Sequence, residues 1–124
     1  MSKNMEDYLK TIYLLKKKRG YVRSIDLAET FGVSKPTICY RMKRLIKEGY
    51  VAKDENHFLN LTSEGTAAAE AVLKLNHTIM ELLVSLGVEK EIAEEDACKM
   101  EHIISQQSLA ALGLLLEGRL NKTF

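Results

Sequence analysis

Several things are scarce in this sequence, and each shortage narrows what the chain can be. There are two cysteines, Cys39 and Cys98, 59 positions apart and without CxxC spacing, so a disulfide framework or a zinc finger is not expected and reduced thiols are. No apolar run approaches the roughly 20 residues that span a bilayer, and the first ten residues are polar and charged, lacking the apolar core of a secretory signal. A cytoplasmic location away from membranes is the expectation. The single proline, Pro36, and the lack of low-complexity segments or repeats leave no sign of a flexible linker. No glycine-rich loop cradles a phosphate, and no oxyanion donors or third orienting group accompany Cys98 and His102, so neither an enzyme nor an organic cofactor is expected.

What is present suffices for one good core, or two small ones sharing an interface: 124 residues, 46% of them hydrophobic. The net charge of +1 conceals a division. Residues 1–62 carry 13 Lys/Arg against 7 Asp/Glu, whereas residues 63–124 carry 5 against 10. A basic first half suits phosphate, and an acidic second half suits cations or protein partners.

The stretch SIDLAETFGVSKPTICYRMKRLIKEGYVAKDENHFLNLT, residues 24 to 62, reads as two short helices around a tight turn, followed by a hairpin. Ser24 is positioned to cap the first helix, Leu27, Ala28 and Phe31 form its apolar stripe, and Gly32 ends it. Ser34 caps the second, with Pro36 in its first turn, where a missing amide costs little. Ile38, Met42, Leu45 and Ile46 then recur at helical spacing. Gly49 stops that helix, and Lys53 to Asn56 forms the polar tip of a wing before Phe58, Leu59 and Leu61. The pattern is a winged helix-turn-helix, and its expected partner is double-stranded DNA. Lys35, Thr37, Tyr40 and Arg41 are the groove-contact candidates, and Arg23, Ser24, Ser34, Lys43 and Arg44 complete the DNA-binding set, chiefly toward phosphate. His57 belongs to the wing and Cys39 reads as a packing residue.

Before this unit, Met5, Tyr8, Leu9, Ile12 and Leu15 space as one helix face, and the basic Lys16 to Arg19 run suits that helix's C-terminus. After it, Thr62 or Ser63 opens a long helix to Gly87, followed by a helix from Glu89 to about Ser105 and a last one from Ser108 to Glu117. The fold class is therefore mostly α: an N-terminal winged helix-turn-helix in residues 1–62 and a helical domain in residues 63–124. Leu109, Leu112, Leu115 and Leu116 offer more apolar surface than a short terminal helix leaves uncovered, which predicts a homodimer through the second half.

Cys98, Glu101 and His102 stand at i, i+3 and i+4, one face of a helix. Thiolate, carboxylate and imidazole suit a first-row divalent ion and not calcium or magnesium. A small buried thiol beside two solvated residues is the plainer alternative for that spacing. The segments EDACKMEHIIS and MEDYLKTIYLL, with the winged helix between them, resemble the diphtheria-toxin-repressor and manganese-transport-regulator family of metal-dependent transcriptional regulators. The resemblance covers nearly the whole chain. It implies a helical metal-binding and dimerisation domain, one divalent ion, Mn2+ or Fe2+, held by Asp7, Cys98, Glu101 and His102, and repression of metal-uptake genes through operator DNA.

The chain departs from the family pattern at several positions. Iron-type members pair methionine with cysteine at the positions of Asp7 and Cys98, and manganese-type members pair aspartate with glutamate; this chain mixes the two. Lys10 stands where manganese-type members place a second acidic residue, so a two-metal cluster is not expected. The family's further histidine falls on Asn76 in an ungapped comparison, while His77, one step and about 100° around a helix away, takes that role if the helix shifts, with Glu81 one turn below it. No further C-terminal domain is expected. The alternative function is a metal-independent winged-helix regulator whose metal site has decayed.

Overall fold

The computed structural model describes residues 3–101 and 103–122. Their elements, in chain order, are α1 (Lys3–Arg19), α2 (Ser24–Phe31), α3 (Lys35–Lys47), β1 (Val51–Lys53), β2 (Leu59–Leu61), α4 (Ser63–Ser85), α5 (Lys90–Met100) and α6 (Gln106–Lys122). They form two compact units, and the division falls inside α4, after Glu70. It lies beyond the expected boundary at residue 62 because the first turns of α4 still serve the first core: Ala69 is buried in it and Ala68 packs against it.

The first unit is built around one apolar cluster. Met5, Tyr8, Leu9 and Ile12 of α1, Leu27 and Ala28 of α2, and Ile38, Met42 and Leu45 of α3 are buried together, with Val51 and Leu59 joining from the strands. The helical spacing predicted this face, except that Ile46 lies outside it, 38% exposed. Gly32 turns the chain between α2 and α3 at φ 64°, a left-handed conformation that an L side chain resists. Ser34 caps α3, its Oγ accepting the Thr37 N–H at 3.3 Å. The cap of α2 differs from expectation. Ser24 is already the first helical residue, and it is Asp26 that accepts the Arg23 N–H, at 2.8 Å, closing the turn from inside the helix.

β1 and β2 pair antiparallel with Val51 opposite Leu61 and Lys53 opposite Leu59, and form the wing. Asp54 organises its tip by accepting the N–H groups of Asn56 and Phe58. The hydrogen bond from Phe58 is the main reason the Asp54 carboxyl sits below the ordinary carboxylate range. Thr62 then caps α4, accepting the Gly65 N–H at 3.1 Å.

In the second unit Ile79, Ala97 and Leu109 form the buried centre, with Leu75, Met80, Leu83, Met100 and Ile104 packed on it. Two helix boundaries differ from the sequence expectation. α5 ends at Met100 instead of continuing to Ser105, and α6 begins at Gln106, because Ser105 and not Ser108 is its cap: Ser105 Oγ accepts the Ser108 N–H at 3.1 Å. The leucines divide as well. Leu109 and Leu116 are buried within the subunit, and the outward residues of this region are Ile103, Leu114 and Leu115, at 80%, 70% and 53% exposure. The expected dimer surface thus keeps Leu115 but loses Leu109 and Leu116 to the interior.

Candidate DNA interface and metal centre

Burial of Ile38, Met42 and Leu45 fixes which side of α3 faces outward. Lys35, Tyr40, Lys43 and Arg44 are exposed on that side, with Tyr40 at 71%. Thr37 is half-buried beside the cap, its Oγ1 2.8 Å from Ser34 Oγ. A cleft of about 460 Å³ lies where the start of α2, the start of α3 and the wing approach one another; Arg23, Lys35, Lys53 and His57 line it without an acidic residue, as do Ser24 and Cys39. Lys35 and Lys53, with Arg23 shared with Asp26, bring positive charge to a cleft whose lining has no acid, which favours a polyanion. Cys39, expected only to pack, is half-buried and open to this cleft.

Four of the DNA candidates are buried or otherwise engaged. Arg41 is half-buried and donates to the phenol oxygen of Tyr8, with its guanidinium 5.5 Å from that ring's centroid, so it is tied to α1. Arg23 pairs with the buried Asp26 at 3.3 Å and lies over the Tyr21 ring. Ser24 is buried, although it lines the cleft. Arg44 is exposed and bridges to Glu48 one turn on, a weak surface pair that phosphate can displace.

The metal candidates divide between the two units. Asp7, on α1, has the ammonium of Lys10 3.8 Å from its Oδ1. Cys98 lies in the last turn of α5, and Glu101, with φ −58° and ψ −23°, prolongs that turn by one residue. His102 lies outside the described residues. From α4, it is Asn76 that meets these groups: its Nδ2 donates to Cys98 Sγ at 3.1 Å and to Glu101 Oε2 at 3.1 Å. His77 does not share that contact. Its Nε2 is 3.0 Å from Glu81 Oε1 on an exposed face, as its phase on the helix requires. Among the described residues no three His, Cys, Asp or Glu side chains are grouped to hold an ion. The donors that do converge, a thiol, a carboxylate and an amide, are nonetheless all competent metal ligands. Sequence reasoning placed Asn76 at a family ligand position without assigning it a role; the signal available was the ungapped spacing.

Comparison with known proteins matches these two regions separately. Residues 1–57 match the family described as iron dependent repressor, N-terminal DNA binding domain, and residues 62–119 match its metal binding and dimerisation domain. An HTH-type transcriptional regulator of Methanocaldococcus jannaschii is 33% identical over 119 residues, covering 94% of this chain and 95% of the relative. The transcriptional regulator MntR of Escherichia coli is 34% identical over 113 residues, 91% of this chain and 73% of the relative. Among solved structures, a manganese-dependent transcriptional repressor in complex with manganese is 29% identical with a TM-score of 0.78, over 91% of this chain and 52% of that one. The manganese-activated repressor ScaR in its apo form is 30% identical with a TM-score of 0.80, over 89% and 53%. The chain thus spans about half the length of those two repressors. No helix among the described residues is long and apolar enough to cross a membrane.

Proposed function

This chain belongs to the iron-dependent repressor family, and from that premise we propose that it represses metal-uptake genes when manganese or ferrous iron binds in its second half. It acts in the cytoplasm, where operator DNA is. Residues 1–62 read the DNA and supply one metal ligand; residues 63–124 supply the other metal ligands and dimerise. Lys35, Thr37 and Tyr40 enter the groove. Ser34, Lys43, Arg44, Arg23 and Ser24 hold phosphate. Asp7, Cys98, Glu101 and His102 bind one divalent ion, and an ion bound between acidic and thiol groups relieves their mutual repulsion and narrows the conformations open to the free protein.

The observation that carries this proposal is the convergence of Cys98 Sγ and Glu101 Oε2 on one point, in the half that matches a metal binding domain. A decayed site has no reason to keep two ligand-type groups on a common partner, which disfavours the metal-independent alternative. The test is binding to a two-fold symmetric duplex, with half-sites about 10 base pairs apart, measured by fluorescence anisotropy with manganese, ferrous iron or chelator over a range of salt. At least tenfold tighter binding with metal, and steep weakening with salt, is the expected result. Equal binding with and without every metal would falsify the switch.

A further inference from the structure

The donor cluster of the second unit lacks a third His, Cys, Asp or Glu among the described residues, and an amide stands in that place. The Asn76 amide nitrogen donates toward both Cys98 Sγ and Glu101 Oε2, each at 3.1 Å. Two groups that become anionic ligands therefore point at an N–H pair carrying partial positive charge, the electrostatic role a cation fills. The same side chain has a carbonyl oxygen on the same carbon. Half a turn about its terminal bond exchanges nitrogen for oxygen with almost no change in the volume occupied.

We propose that Asn76 is an oxygen ligand of this site and sets its metal preference. Without metal, its N–H groups hold Cys98 and Glu101 together; with metal, the amide turns over and presents Oδ1. The inference rests on the proposed metal dependence and extends it to which metals are favoured. His77 is kept from the same service by its phase on α4, which turns it to an exposed face beside Glu81, 3.0 Å away. With Asn76 as the contributor, α4 supplies a hard, neutral oxygen and no nitrogen. Imidazole nitrogen favours zinc, copper and nickel, whereas carbonyl and carboxylate oxygen favour manganese. Asn76 accordingly weakens zinc relative to manganese, offsetting the opposite bias of the Cys98 thiolate.

The test uses the full chain and three substitutions, Asn76→Ala, Asn76→Asp and Asn76→His. Calorimetry gives manganese and zinc affinities, the latter against a competing chelator, and the cobalt absorption spectrum reports thiolate ligation. Asn76→Ala should weaken manganese at least tenfold. Asn76→Asp, which keeps an oxygen and loses the N–H donors, should bind manganese as tightly as wild type or more so. Asn76→His should shift the ratio toward zinc at least tenfold. All three should retain the thiolate-to-cobalt band, which Cys98→Ala should abolish. If Asn76→Asp loses manganese as Asn76→Ala does, the amide is only a hydrogen-bond donor and the inference is wrong. Wild type that binds metal with affinities no variant alters sinks this inference alone; wild type that binds neither manganese nor cobalt sinks the proposed function with it.

Discussion

Arg41, half-buried on α3, donates to the phenol oxygen of Tyr8 in α1. The Tyr8 ring is buried and meets Phe31 edge-on at 4.6 Å between centroids. Arg41 thus ties α3 to the helix that carries Asp7. Tyr8→Phe should keep the ring contact and remove the acceptor, costing about 1 kcal/mol in urea unfolding. Tyr40, at 71% exposure, has no such packing role. Tyr40→Ala should change stability by less than about 0.5 kcal/mol yet flatten the preference among duplex sequences in footprinting. An unaltered preference would mean that the groove-reading face of α3 is misassigned.

Asp26 couples the first unit to pH. Burial alone would raise its pKa, but the hydrogen bonds from the Arg23 guanidinium and backbone N–H, and from Arg19 at 2.5 Å, outweigh that and hold its carboxyl below the ordinary 3.8. A depressed folded-state pKa contributes stability that is complete above the unfolded value, about 3.9, and is lost as the pH falls through the folded one. Asp26→Asn should cost about 2 kcal/mol at pH 7 and flatten the fall in urea midpoint below about pH 4. A variant with the wild-type acid slope would show that another group carries it.

The helix-turn-helix was legible because its signals are local: Ser34 caps, Gly32 turns, and Ile38, Met42 and Leu45 repeat at 3.6 residues. The break after Met100 was not. Ile103 and Ile104 continue an apolar pattern, and Ser105 and Ser108 are equally good caps on paper; only packing against Ile79 and Leu109 distinguishes them, and it leaves Ile103 80% exposed. The resemblance supplied the order of the ligands but not their phase. The ungapped spacing pointed to Asn76, but Asn76 and His77 differ by about 100° on α4, and only the packing shows that Asn76 is the one that meets Cys98 and Glu101. The Tyr8 to Arg41 bond joins residues 33 positions apart, and nothing local announces it.

Gly65 offers a test in which two effects have opposite signs. Helix propensity alone predicts that Gly65→Ala stabilises α4 by about 1 kcal/mol. A Cβ at this position, however, would lie 2.0 Å from the carbonyl oxygen of Tyr50 and 3.3 Å from Leu61 Cδ2. The first contact is backbone, and that oxygen already accepts the Thr62 N–H at 3.1 Å, so it cannot yield without disturbing the base of the wing. Overpacking should win, lowering stability by about 2 kcal/mol, with faster amide exchange at Thr62. A higher melting temperature would show that the wing shifts freely.

The dimer seam is where sequence and structure part most usefully. Family membership assigns dimerisation to residues 62–119, but Leu109 and Leu116 are 3% and 8% exposed and occupied within the subunit. Leu109→Ala should therefore behave as a core truncation, costing about 3 kcal/mol, without directly removing contacts between subunits. The apolar surface left outward is Leu114 and Leu115, with Ile103 at 80% exposure. A stable dimer covers about 800 Å² per partner, so placing two carboxylates in such a seam desolvates charge with no compensating partner. Leu114→Asp with Leu115→Asp should give monomers in sedimentation at micromolar concentration while the helical circular dichroism stays unchanged. Operator affinity should fall with it, since each subunit then holds one half-site alone. A double variant that still sediments as a dimer would place the seam on another face of the second unit, where Leu86 and Ile92, at 57% and 48% exposure, are the next residues to change.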